Sequence, residues 1–272
     1  MFRFRRKKIP RIALLRLDGI IEESDDDSLP RRVSMALEDV EHLKAKALVM
    51  RVNSPGGTVG ATQEIYDAIW KFRTQTKMPI IASMGDVAAS GGVYVSMAAE
   101  RILANAGTVT GSIGVIIRSR NLSQLFSKVG VTAEVVKSGE FKDTPAPYRG
   151  MTDSERGMLQ EMINDTYEQF VDAIMRGRNL APEKVRQFAD GRVMTGRQAL
   201  LCGLVDELGG FDRAIEVAKQ MAHITVEPDV IEVGRVKPKL LERVRHRFIG
   251  GFSLHEISTR WDGIPLYLMP RF

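Results

Sequence analysis

Short, almost wholly apolar runs, each closed by a glycine-rich turn or followed by a segment of helical period, limit what this chain can fold into. Ala47 to Val52 runs into Asn53-Ser54-Pro55-Gly56-Gly57, and Pro79 to Met84 leads toward Ala88-Ala89-Ser90-Gly91-Gly92. Runs this short, without polar alternation, suit strands covered on both faces, as in a parallel sheet. Between them Ile65, Ile69 and Phe72 recur at helical spacing, as Val33, Leu37 and Val40 do earlier. Strand alternating with helix predicts an α/β protein built on a mainly parallel sheet.

The rest of the chain extends that pattern. Ile9 to Ile21 reads as a first strand ending at an Asp18-Gly19 turn signal. Val115 to Ile117 and Ala133 to Val136 read as further strands around a helix at Leu122 to Val129. Thr152 and Glu155 form a capping box opening a long helix. Helices at Pro182 to Phe188, Gly196 to Cys202 and Asp212 to Met221, then a strand at Val226 to Val233, complete the reading. A chain of 272 residues is long enough for one large domain or two small ones. With no internal repeat and no clear linker, one domain with a C-terminal extension is the simplest organisation.

Cys202 is the only cysteine, so a disulfide within the chain is excluded. The four scattered histidines offer no metal-ligand spacing, and neither a metal nor a cofactor is expected. The net charge of +5 is concentrated at Arg3 to Lys8 and between Arg235 and Arg247. Such clusters are either solvated faces or attract anionic surfaces. The most apolar stretch, Pro79 to Ala99, is interrupted by Asp86 and rich in glycine, so no transmembrane segment is expected.

Ser90 sits where a strand turns into a helix of small residues. A serine there is either an N-cap or a nucleophile, with helix N–H groups beside it. Pro55-Gly56-Gly57 is either an ordinary glycine turn or a loop turning N–H groups toward an oxyanion. No histidine lies between residues 43 and 222, so the base for a nucleophilic Ser90 is expected to be a lysine. Lys142 and Lys137, in Lys137-Ser138-Gly139-Glu140-Phe141-Lys142-Asp143, are both candidates. Either must be desolvated, or placed near other cations, to be neutral at working pH. Ser112, in Thr110-Gly111-Ser112-Ile113-Gly114, is either part of a glycine turn or a hydroxyl that orients a lysine amine.

Together these segments, with Thr195-Gly196-Arg197-Gln198-Ala199 and Gly203-Leu204-Val205-Asp206, resemble the signal peptide peptidase A family of serine peptidases over roughly residues 10 to 235. The resemblance implies a Clp-protease/crotonase-like α/β fold with repeated β-β-α units. It implies Ser90 as nucleophile, Lys142 as general base, Ser112 positioning the lysine, and an oxyanion hole from the N–H groups of Gly57 and Gly91. It also implies peptide substrates such as remnant signal peptides, and self-association into a ring or dome, an octamer being expected. The serine and lysine of one site would then come from adjacent protomers. The organisation expected is a basic tail over 1–8, a Ser-Lys peptidase domain over 9–235 and a basic amphipathic extension over 236–272.

Two departures from the family are visible. Val93 and then Tyr94 follow Ser90-Gly91-Gly92, where relatives place the aromatic residue first. The membrane span many relatives carry is not expected here. A cytoplasmic location is expected, with Leu240, Leu241, Val244 and Phe248 as an amphipathic contact with an anionic membrane surface. No nucleic-acid partner is expected. The alternatives are an acyl-CoA enzyme of the crotonase type and an inactive membrane-associated scaffold. The apolar segment Ile264 to Pro270 is either a packed strap or a segment lying in a peptide-binding groove.

Overall fold

The structure is a computed structural model that describes residues 9–24, 28–235 and 266–268. The basic tail 1–8 and the amphipathic stretch from Leu240 to Phe248 lie outside the described residues. Those described form two compact units, one of residues 9–114, 169–235 and 267–268, the other of residues 115–168 and 266.

The first unit is built on a largely parallel sheet. Strands β1 (Arg11–Asp18), β2 (Ala47–Ser54) and β4 (Ile80–Ala89) form its centre, and β3 (Gly56–Thr58) follows β2 directly. The strands β5 (Arg101–Ala104), β6 (Val109–Gly111), β7 (Val193–Thr195), β8 (Glu207–Leu208) and β9 (Asp229–Glu232) complete it. The order is β7-β6-β4-β2-β1-β9, with β5 pairing β4 and β8. The β6–β7 pair is antiparallel. Register places Leu14 opposite Val49, and Val49 opposite Ile81.

That row packs with Leu103 against Ala214, Ile215, Val217 and Ala218 of helix α8 (Phe211–Met221). Leu15, Leu48 and Met50 point the other way along the same strands and are fully buried. The sheet is thus covered on both faces, which is why its strands read as unbroken apolar runs. Each such side chain contributes about 1.5–3 kcal/mol of burial. Helices α1 (Leu29–Leu43) and α2 (Val59–Thr76) bury Val33, Ala36 and Val40, and Ile65, Ile69 and Phe72. This architecture, a mixed α/β protein with a parallel-dominated sheet, is consistent with a Clp-protease/crotonase-like fold.

β4 decides where the site lies. Its first half pairs with β5, from Ile81 to Met84, and its second half with β6, from Val87 to Ala89. Two short strands thus share one edge in succession, and β6 accompanies β4 to its end. There the chain turns at Ser90 into the short helix α3 (Gly91–Ser96).

In the second unit, α4 (Ser123–Lys128) matches the helical expectation. The long helix α5 (Asp153–Arg178) begins there, opened by the expected box of Thr152 and Glu155. Two expected strands do not form. Val115 to Ile117 contributes only an isolated bridge from Ile116 to Leu266, and Ala133 to Val136 forms none. Most of these residues are β-branched, but among the described residues no neighbouring strand offers the ladder a strand needs, and Val135 and Val136 are exposed. The turn expected at Thr110-Gly111-Ser112 is itself the end of β6. Helices α6 (Pro182–Arg186) and α7 (Gly196–Cys202) lie close to their expected positions, and the late strand shortens to β9.

Candidate active site

Ser90 does not cap the helix it precedes. Its backbone has φ 53° and ψ −115°, and its side chain makes no capping hydrogen bond. A non-glycine residue held at positive φ costs about 1–3 kcal/mol. The turn is kept in place on both sides. The Ser90 N–H donates to the Gly111 carbonyl at 2.8 Å, and its carbonyl accepts from the Tyr94 N–H at 3.0 Å. The Oγ atom is buried and has no hydrogen-bond partner among the described residues. A buried hydroxyl without a partner costs about 1–3 kcal/mol more. Strain and an orphaned hydroxyl thus coincide at one strand-to-helix turn. The backbone serves as in the elbow of α/β-hydrolases, although Ala88 stands where that motif has glycine.

The glycine loop lies against this turn. The Gly56 N–H donates to Ser54 Oγ at 3.1 Å, and Gly56 takes φ +100°. A Cβ on Gly91 would stand 3.0 Å from Gly56 Cα and 3.2 Å from Gly57 N. Absence of side chains is what lets the two backbones meet, so Gly57 and Gly91 lie side by side next to Ser90. Ser112 joins them through β6. It is nearly buried, has φ 52°, and donates its backbone N–H to the Arg192 carbonyl at 2.7 Å. Ser90, Ser112, Gly57 and Gly91 therefore all belong to the first unit.

A strand from the far end of the chain enters the same place. β10 (Leu266–Leu268) reaches the first unit at Tyr267 and pairs there with β3. A Cβ on Gly56 would fall within 3 Å of both the Tyr267 carbonyl oxygen and the Gly91 N. The fully buried Tyr267 ring stacks on Tyr94 at 5.1 Å and lies 4.7 Å from Phe170. Tyr66 meets Tyr94 edge-on at 5.1 Å. Burial, reinforced by Tyr94, pushes the Tyr66 hydroxyl up to about 12. Tyr94, the aromatic residue that follows Ser90-Gly91-Gly92 and Val93, is the ring that Tyr66, Phe170 and Tyr267 all meet.

The two candidate lysines lie in the second unit and differ sharply. The Lys137 amine donates to Asp143 Oδ1 at 2.8 Å and to the Glu140 carbonyl at 2.7 Å. Lys142 is exposed, and its amine has no hydrogen-bond or ion-pair partner among the described residues. Asp143 is held far below the usual carboxylate range by Arg149, then Lys137 and Tyr148. Arg149, then Thr144 and the Thr152 N–H, do the same for Glu155.

Comparison with known proteins decides the family. Residues 72–225 match peptidase family S49, and residues 20–110 match the Clp protease family. The chain belongs to peptidase family S49. It is 44% identical over 262 residues to a Synechocystis sp. protein named "Putative protease slr0021", covering 96% of this chain and 89% of that one. It is 35% identical over 230 residues to the "Putative signal peptide peptidase SppA" of Enterococcus faecium, covering 82% of this chain and 66% of that one. The "Serine protease SPPA, chloroplastic" of Arabidopsis thaliana is 35% identical over 236 residues, covering 84% of this chain and 35% of that one.

Two of the segments singled out in the sequence of this S49 peptidase are structural. Thr195 and Gln198 form a capping box at the start of α7. Asp206 receives two hydrogen bonds from Arg178, both 2.8 Å, and one from the Ile102 N–H at 2.8 Å, which fastens β5. The sequence reading missed Tyr66 and Phe170, whose helical periodicity looks like ordinary core. It also missed Arg149, because no motif marks it. Among the described residues no helix is long and apolar enough to cross a membrane.

Proposed function

We propose that this chain is a serine endopeptidase with a Ser-Lys dyad. Ser90 is the nucleophile and Lys142 the general base. Ser112 positions the lysine, and the N–H groups of Gly57 and Gly91 form the oxyanion hole. The observation that carries the reading is the Ser90 hydroxyl, orphaned and buried on a strained turn beside two glycine backbones. Ser90 Oγ attacks the scissile carbonyl carbon as its proton passes to the Lys142 amine. The carbonyl oxygen becomes an oxyanion facing the two N–H groups, each worth about 3 kcal/mol in such a site. Collapse expels the amine, which takes the proton from Lys142, and leaves an acyl-Ser90. Water, deprotonated by Lys142, then releases the acid and restores the hydroxyl.

Peptides are the proposed substrates, and the pairing of β10 with β3 beside Ser90 supports the reading. β10 and β3 form a two-stranded sheet of their own, and backbone pairing of this kind is how extended peptides are recognised. The Tyr267 side chain packs against Tyr94 and Phe170, an apolar surrounding in keeping with remnant signal peptides and other membrane-derived peptides as the proposed substrates. β10, as the occupant of a peptide-binding groove there, is expected to regulate access to it.

A lysine serves as base only when shielded from water. In the single chain Lys142 is exposed, and Val131, Val135, Val136 and Phe141 of the same unit are exposed as well. A second copy covering this surface supplies the missing shielding. Self-association into a ring or dome, an octamer, with each dyad shared between neighbouring copies, follows as part of the proposal. Location in the cytoplasm, peripheral on an anionic membrane face, is also proposed. Flotation with anionic and neutral liposomes tests it, and equal recovery in the soluble fraction would refute it.

The deciding experiment is hydrolysis of a signal-peptide substrate by wild type, Ser90→Ala and Lys142→Ala, with the oligomeric state measured for each. Loss of activity in both variants with assembly intact supports the dyad. Activity in Lys142→Ala moves the base elsewhere. Failure of a fluorophosphonate probe to label Ser90 in the assembled wild type would favour the acyl-CoA or scaffold readings.

A further inference from the structure

We propose that Arg149 is a positioning residue for Lys142, tying the turn that carries the lysine to the first turn of α5 through Asp143 and Glu155. The inference rests on the reading of Lys142 as general base.

Arg149 engages two carboxylates at once. Its Nε and Nη2 donate to Asp143 Oδ2 and Oδ1 at 3.2 and 2.8 Å, while Nη1 and Nη2 donate to the two oxygens of Glu155. Glu155 is the inner anchor, its side chain only 2% exposed. It accepts from the Thr152 N–H at 2.8 Å, closing the box at the start of α5, and from Thr144 Oγ1. Asp143 is the outer anchor. It accepts also from Lys137 Nζ and from the Tyr148 hydroxyl, both at 2.8 Å.

The turn itself is closed by Lys142 N–H to the Gly139 carbonyl at 3.2 Å and Thr144 N–H to the Phe141 carbonyl at 3.0 Å. Glu140 accepts from Ser154 Oγ at 3.0 Å. Every charged side chain from residue 137 to 143 is therefore engaged, except Lys142.

Two consequences follow. The residue after Lys142 is pinned by a planar, doubly bidentate guanidinium, an arrangement lysine could not reproduce. The Asp143 carboxylate, which would otherwise pair with its neighbour and hold the Lys142 proton, has donors at both oxygens already. The network thus fixes the turn that carries Lys142 and leaves its amine unpaired among the described residues. A displacement of about 1 Å at such a group costs about 100-fold in rate.

The test uses the full chain in its assembled state with a fluorogenic signal-peptide substrate. Arg149→Ala and Asp143→Asn are each expected to lower kcat by about tenfold or more, with KM and assembly unchanged. Millimolar methylguanidinium is expected to restore part of the activity of Arg149→Ala and none of that of Lys142→Ala. Should Arg149→Ala not fold, Asp143→Asn decides, because it leaves the Arg149–Glu155 bonds and the helix cap in place. Wild-type kcat in Asp143→Asn, with Lys142→Ala inactive, overturns the positioning role and leaves the dyad standing. A loss in Arg149→Ala that resides in KM or in assembly also overturns it. Full activity in Lys142→Ala overturns both readings.

Discussion

Ser90 combines two local costs, a backbone at positive φ and a buried hydroxyl without a partner. Neither is repaid within the folded chain, and substitution should expose the cost. Ser90→Ala removes the orphaned oxygen while keeping the turn. It is expected to raise stability by about 1 kcal/mol in urea unfolding while abolishing hydrolysis. A destabilised Ser90→Ala would mean that the hydroxyl has a structural partner. Gly91→Ala tests the neighbouring contact. Its Cβ would press to 2.9 Å from Thr62 Oγ1 and 3.0 Å from Gly56 Cα. Parting the two loops should lower kcat by about 100-fold, the scale of losing one oxyanion donor. Near-wild-type kcat in a folded Gly91→Ala would remove Gly91 from the oxyanion hole.

At the scale of elements, Asp206 fastens β5 to α5, accepting from the Ile102 N–H and pairing with a largely buried Arg178. The Arg178 and Asp206 side chains are 9% and 14% exposed. Burial pushes the Asp206 carboxyl up, but the bonds from Arg178 and the Ile102 N–H outweigh it and leave the group below its ordinary 3.8. A carboxyl depressed in the folded state stabilises fully above its unfolded value and loses that contribution as pH falls through the folded one. Asp206→Asn leaves Arg178 without its counter-charge and is expected to cost about 3 kcal/mol at neutral pH. Its unfolding free energy should also fall less than the wild type's between pH 5 and pH 2. Parallel acid profiles for the two proteins would show that Asp206 is not the group responsible. Thr195→Ala, which opens the α7 capping box, is expected to cost about 1 kcal/mol by thermal unfolding.

For the whole molecule, the surface of the second unit matters most. Val136 is fully exposed, and Leu125, Val129 and Val131 are each more than half exposed. On the proposed reading these residues contribute to the contact between copies. Replacing Val135 and Val136 together by Glu should shift the assembly to smaller species in light scattering and abolish hydrolysis. Unchanged assembly and rate would place the interface elsewhere. Deleting residues 264–272 should empty the groove beside β3 and raise the rate on short peptides. No change in rate or assembly would leave Tyr267 as packing alone.

The sequence by itself determined the layered α/β fold, the positions of β1, β2, β4 and most helices, and the segments around Ser90, Gly57, Gly91 and Ser112. Those features follow from short-range rules: apolar runs for buried strands, helical periodicity, capping pairs, and glycine where backbones must approach. Tertiary structure alone decided that Ser90 is no helix cap, since only β6 beside β4 makes its turn bend to positive φ. It alone showed that Lys137 pairs with Asp143, because that pairing depends on how the turn closes. It alone brought Tyr267 to Tyr94 and Phe170, residues far apart in the chain. The expected strands at 115–117 and 133–136 failed for the same reason: a strand exists only where another supplies its hydrogen bonds, and no local pattern names that partner.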